Sequence, residues 1–101
     1  MEVVVLHVEG CPNVELAESR LKLAAERLGL DVQIRREQVE SLTQAEQLGF
    51  GGSPTLLVNG VDLLPQHPGA PGLACRLYRT RGGVEGAPSL ADLEEAISSL
   101  G

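Results

Sequence analysis

Aromatic side chains are almost missing from this chain, with one Phe, one Tyr and no Trp in 101 residues. Phe50 and Tyr78 are isolated, so a core has to be assembled from Val, Leu, Ile and Ala, and no aromatic platform exists on which bases could stack. Basic residues are scarce as well. Eight Lys and Arg against fourteen Asp and Glu give a formal net charge of −6. With no long basic run to override that sign, nucleic acid and anionic membranes are excluded as partners. No stretch approaches the roughly 18 consecutive apolar residues of a membrane span. The N-terminus lacks a basic segment followed by an apolar run and cleavage site, so the expected compartment is cytoplasmic.

Cysteine is also rare. Two cysteines, Cys11 and Cys75, are too few for a disulfide scaffold, and in a reducing compartment they point to redox or metal chemistry. Zinc in a closed structural site takes about four ligands, usually with CxxC or HxxxH spacing. Neither spacing occurs, so no metal site and no cofactor is expected, although two thiolates alone would suit a soft ion such as Cu(I) or Hg(II). The phosphate-loop signature GxxxxGK[ST] is missing, Gly51-Gly52 has no lysine after it, and no Ser lies in a GxSxG elbow, which removes those enzyme classes.

What is present is organised around Gly10-Cys11-Pro12-Asn13. An unbroken apolar run, Val3-Val4-Val5-Leu6, precedes it and predicts a strand over residues 3–8 covered on both faces. A helix over residues 12–28 should follow, with Val14, Ala17, Leu21, Ala24 and Leu28 on one stripe, Glu18 and Lys22 as an exposed pair, and Gly29 as its left-handed stop. A cysteine at such a helix start is exposed to unpaired N–H groups and partial positive charge, which favour the thiolate.

Further on, alternation of Val32 and Ile34 with polar residues predicts a second strand over residues 31–38, parallel to the first across a right-handed crossover. Ser41 with Gln44 marks the start of a short helix over 42–48, with Leu42, Ala45 and Leu48 inward and Gly49 at its end. Pro54 stands before a strand over 55–58, and Asn59-Gly60 predicts a hairpin to a strand over 61–64. Residues 65–72 read as loop. Residues 73–79 read as extended chain, with Cys75, Leu77 and Arg79 alternating against Arg76 and Tyr78. The closing helix starts at Ser89, paired with Asp92, and buries Leu90, Leu93, Ile97 and Leu100. With 43% hydrophobic residues, one α/β domain over residues 1–101 is expected, its four-stranded mixed sheet flanked by helices.

The order β-α-β-α-β-β-α, with GCP at the first strand-to-helix turn and GSPT before the third strand, resembles the thioredoxin-like superfamily. The resemblance implies a nucleophilic cysteine at Cys11, a cis-proline at Pro54 facing it, and Ser53 presenting its backbone groups to a bound partner. Pro12 and Asn13 would belong to the same substrate-facing turn. The chain departs from that family where the second cysteine of CxxC would stand, since Val14 occupies the position. Cys75 is then the only other thiol able to resolve a mixed disulfide.

Other readings of these residues remain open at this stage. Cys11 could be a small apolar residue capping a turn, and Cys75 could be a buried cysteine on the inner face of a strand. Arg76, Arg79 and Arg81 could tune Cys75 or form a solvated rim. His7 reads as a satisfied core or sheet-edge side chain, His67 as a loop residue, and Asp62 as a hairpin residue or one facing Cys11. Three functions follow: a thiol-dependent redox protein acting on protein or small-molecule thiols and disulfides, a thiolate binder of soft metals or mercurials, and a non-catalytic interaction module.

Overall fold

In the computed structural model, which describes residues 1–65 and 72–100, the apolar run of the N-terminus forms β1 (Glu2–His7), an interior strand of the sheet. On one side β2 (Gln33–Gln38) runs parallel to it, with Val3 opposite Ile34 and His7 opposite Gln38. On the other side β3 (Thr55–Val58) runs antiparallel, followed by β4 (Val61–Asp62), giving the order β2-β1-β3-β4. Asn59 and Gly60 both take positive φ, 53° and 78°, as a tight two-residue hairpin requires.

The continuous Val/Leu character of β1 reflects packing on both faces. Val3 and Val5 join Leu21 and Ala24 of α1 (Val14–Arg27) and Leu93 and Ile97 of α3 (Leu90–Ser98) in the larger core. Leu6 faces the opposite way, into a smaller core with Ala45 of α2 (Leu42–Leu48), Val39, Phe50 and Leu57. The described residues thus form an α/β unit, a four-stranded mixed sheet with three helices. Among the described residues no helix is long and apolar enough to cross a membrane.

Several helix ends follow their local sequence. Ser41 Oγ accepts from the Gln44 N–H at 3.1 Å while Gln44 Oε1 accepts from the Glu40 N–H at 2.8 Å, and Ser89 Oγ accepts from the Asp92 N–H at 3.1 Å. At the end of α1, Gly29 takes φ +70°, and the N–H groups of Gly29 and Leu30 donate back to Glu26 and Ala25, the paired closure that a left-handed glycine permits.

Other expectations are corrected. α1 begins at Val14 rather than residue 12, with Asn13 as its N-cap and no side-chain capping bond. The Asn13 side chain lies instead against Gly86, where an added Cβ would collide with it. Glu18 does not pair with Lys22: Arg36 of β2 reaches it with two nitrogens, at 2.8 and 2.6 Å. Leu28, Leu42 and Leu100 are exposed, each lying at a helix end where the apolar stripe runs past the sheet. β4 is shorter than expected because Asp62 Oδ1 accepts the Leu64 N–H at 2.9 Å and turns the chain, although Leu63 and Leu64 stay buried.

A second, two-stranded sheet enters before α3, pairing β5 (Tyr78–Thr80) with β6 (Gly83–Glu85). Arg20 of α1 fastens it, with Nη2 on Glu85 at 3.2 Å and Nη1 on the Pro88 carbonyl at 3.0 Å.

Candidate functional site

Cys11 lies just after β1, on a turn made possible by Gly10 at φ +72°, and its N–H donates to the Val8 carbonyl at 3.3 Å. The side chain is half-buried against the larger core. Because α1 starts at Val14, Cys11 and Pro12 precede the helix, and the expected helix beginning at the cysteine is replaced by a turn leading into it. An open cleft of about 370 Å³ in front of the thiol is lined by His7, Gly10, Pro12, Val14, Glu15 and Arg36.

Three of these residues, His7, Glu15 and Arg36, were not singled out from sequence as neighbours of Cys11. His7 is half-buried, and its Nδ1 lies 3.1 Å from the Val8 carbonyl. A carbonyl can only accept, so a hydrogen bond there needs a proton on Nδ1, and in the neutral ring with that tautomer Nε2 is the acceptor. Arg36 is tied to Glu18, whose carboxyl is held below the usual carboxylate range chiefly by the Arg36 hydrogen bonds, while the guanidinium is raised in turn. The parallel pairing of β1 and β2 brings these groups together, a tertiary relationship that neither segment displays alone.

Ser53 links this turn to the second cysteine. It is fully buried, and its Oγ accepts the Val8 N–H at 3.1 Å. Its own N–H donates to the Ala74 carbonyl at 2.8 Å, and its carbonyl accepts the Arg76 N–H at 2.9 Å. Ser53 and Cys75 thus form a parallel bridge, and the Ser53–Pro54 peptide is cis. The resemblance implied that Ser53 would offer its backbone groups to a bound partner. In this chain both are bonded to the segment around Cys75.

That segment alternates as expected but in the opposite phase. Arg76 and Tyr78 point inward and are buried, whereas Cys75 and Leu77 are exposed. Arg76 is therefore neither a rim residue nor directed towards Cys75. Its Nη1 lies 2.9 Å from Asp62 Oδ2 and 3.4 Å from Thr55 Oγ1, and its Nη2 donates to the Leu64 carbonyl at 2.8 Å. The guanidinium carbon also stands 4.9 Å from the centroid of the Tyr78 ring, a favourable cation–π contact when desolvated. The Tyr78 hydroxyl donates to the Pro54 carbonyl at 2.5 Å, and burial pushes the phenol well above its ordinary range. Asp62 serves as a hairpin residue and as partner to Arg76, not as a neighbour of Cys11. Arg79 and Arg81 are exposed, in and just after β5.

Both cysteines are free thiols. Among the described residues no group of three or more His, Cys, Asp or Glu could hold a metal ion. The expectation for His67 and most of the 65–72 loop falls outside the described residues. A larger depression of about 660 Å³ between β4 and α3, bounded by Val61, Leu63, Ala96 and Leu100 with Asp92 and Glu95, contains neither cysteine. Comparison with known proteins finds no matching family model, no matching curated relative and no matching solved structure, so the functional reading rests on the chemistry of these residues.

Proposed function

We propose that this chain is a thiol-dependent redox protein of thioredoxin-like architecture, in which Cys11 attacks a disulfide and Cys75 resolves the product. The observation that carries the reading is the convergence of both cysteine-bearing segments on Ser53, through the Val8 N–H to Ser53 Oγ bond on one side and the Ser53–Cys75 bridge on the other. Pro12 lines the Cys11 cleft, and Pro54 follows Ser53 across a cis peptide bond.

The chemistry balances without a cofactor. Cys11 loses its proton, with His7 Nε2 as a nearby acceptor in the same cleft, and its thiolate attacks one sulfur of a disulfide R–S–S–R′. The S–S bond breaks, R′S⁻ leaves and takes up a proton, and Cys11–S–S–R remains. The Cys75 thiolate then attacks the Cys11 sulfur, releasing RS⁻ and leaving a Cys11–Cys75 disulfide. Two equivalents of a low-molecular-weight thiol return the pair to the reduced state. The external disulfide is reduced by two electrons, and the two cysteines supply them.

Mass spectrometry during reaction with a limiting small disulfide tests this. The expected sequence is an adduct on Cys11, then an adduct-free species two hydrogens lighter than the reduced chain. Cys75→Ser should stop at the adduct, and Cys11→Ser should form neither species on the same timescale. Equal loss of Hg(II) or Cu(I) binding in both variants, with no adduct trapped, would favour the soft-metal reading instead. No exchange above that of a free thiol would favour the interaction module.

A further inference from the structure

Resting on that thiol–disulfide reading, we infer that the site takes small disulfides and does not recruit an extended polypeptide, because the chain's own residues 74–76 occupy the backbone edge that the Cys11 turn meets through Val8. An extended peptide is held next to a reacting group by adding itself to a free backbone edge, where main-chain hydrogen bonds supply affinity. Ser53 is the edge that the Cys11 turn reaches through Val8. Its N–H is already bonded to Ala74 and its carbonyl to Arg76, and the residue has no exposed surface. β3, which follows it, is paired on both sides by β1 and β4 and offers no alternative edge.

The covering segment is built into the fold. Gly52 takes φ +113°, and a Cβ there would lie 2.9 Å from Arg76 Cβ and 3.0 Å from Arg76 Cα, so the two backbones meet at a distance only glycine allows. Arg76 then sends its guanidinium inward to Asp62 and the Leu64 carbonyl, and Tyr78 binds the Pro54 carbonyl. An incoming chain would have to displace a buried, charge-paired anchor to gain two hydrogen bonds. The cleft at Cys11 remains open, and its volume of about 370 Å³ matches a small-molecule site.

The test compares two disulfides with the same leaving group on the reduced full-length chain. One is hydroxyethyl disulfide. The other is a short unstructured peptide whose central cysteine carries a mercaptoethanol cap, and glutathione serves as the reference thiol for both. The expected ratio of peptide rate to small-disulfide rate is that of glutathione, within about threefold. A peptide preference of about tenfold or more, the scale of two recruited backbone hydrogen bonds, overturns the inference. Arg76→Met and Asp62→Asn loosen the segment to different extents and should raise the peptide rate while leaving the hydroxyethyl disulfide rate unchanged; a change in both rates by the same factor counts against it. Amide hydrogen exchange at Ser53 and Arg76 gives a readout independent of redox chemistry. Both amides should be protected and stay so with saturating peptide, and loop-like exchange, or protection lost on adding peptide, overturns the inference. If neither disulfide reacts faster than with glutathione, the redox reading fails and the substrate assignment fails with it, whatever the exchange data show.

Discussion

The Arg76 N–H donates to the Ser53 carbonyl at 2.9 Å, which sets one face of a single residue against the candidate site and the other into the protein interior. The inward face carries a guanidinium with only 1% of its side chain exposed, paired to an Asp62 that keeps 26% exposed. Removing one member of a buried pair strands the other and typically costs 3–5 kcal/mol. Because Asp62 can rehydrate, Arg76→Met should cost somewhat less, about 2–4 kcal/mol in urea unfolding. Asp62→Asn keeps an acceptor in place but leaves the buried guanidinium, which cannot rehydrate, without its counter-charge, so it should cost at least as much, about 3–5 kcal/mol. A clearly smaller loss in Asp62→Asn would mean that the wider network of Leu64, Thr55 and Tyr78, rather than the ion pair, accounts for the anchoring.

Two glycines with positive φ separate backbone strain from crowding. At Gly10, φ is +72° and an added methyl would meet nothing within 4 Å, whereas at Gly52 the methyl would press on Arg76 backbone atoms. Gly10→Ala should therefore cost only the conformational penalty, about 1–2 kcal/mol. Gly52→Ala adds a displacement of the 74–76 segment and should cost about 3–4 kcal/mol, the sum of a strained φ and an overpacked contact. Unfolding midpoints measure both costs. Amide exchange at Ser53 should rise in Gly52→Ala and stay unchanged in Gly10→Ala.

Features that act through neighbouring backbone could be read before the fold was known. Ser41, Ser89, Gly29 and the Asn59-Gly60 turn each work within a few residues, and the structure places them as expected. The unbroken run in β1 announced a two-sided strand because burial on both faces removes the need for polar alternation. What could not be read depends on distant partners. Arg76 looks like surface beside Leu77 until Asp62 and Leu64 are brought to it, so the alternation was visible and its phase was not. The Arg36 partner of Glu18 lies on another element, and local helix spacing suggested Lys22 instead. The Asn13 side chain packs against Gly86 and makes no capping bond to the helix that follows it. The occupancy of Ser53 by residues 74 and 76 joins segments more than twenty residues apart, and no local pattern encodes it.

The Glu18–Arg36 pair predicts a pH dependence with a definite sign. The folded carboxyl titrates below its unfolded value because Arg36 hydrogen-bonds the charged form. In the window between the two values the unfolded chain binds the extra proton, so stability rises with pH there. The contribution is complete above the unfolded value of about 4.3 and is lost as pH falls through the folded one. Glu18→Gln should flatten this acid limb of the urea midpoint, and Lys22→Ala, which removes a weaker attraction than that of Arg36, should shift it less. The effect is small and salt-sensitive, since Arg36 is half exposed. A limb unchanged in Glu18→Gln would assign the acid sensitivity to other carboxylates, Glu85 first, which Thr80 and Arg20 also hold low.

The two thiols differ in exposure, Cys75 being exposed and Cys11 half-buried, so access and exchange chemistry favour different sulfurs. A bulky maleimide reports access, because Cys11 is half-buried behind the cleft between His7, Glu15 and Arg36 while Cys75 is exposed. Native chain should therefore be marked by it first at Cys75, several-fold faster than at Cys11, and the two rates should converge in denaturant. A small disulfide enters the cleft, and under the proposed function its first adduct should appear on Cys11 despite the lower exposure. Peptide mapping after acid quench measures both, because low pH removes the thiolate that would shuffle the adduct. If small disulfide and bulky maleimide both choose Cys75, exposure alone governs the chemistry and the roles assigned to the two cysteines are wrong. If the small disulfide chooses Cys11 and the adduct then passes to a Cys11–Cys75 bond, the order of attack and resolution follows from the same experiment. Pre-labelling Cys75 with the maleimide completes the test: it should leave the first step at Cys11 running and block only the second.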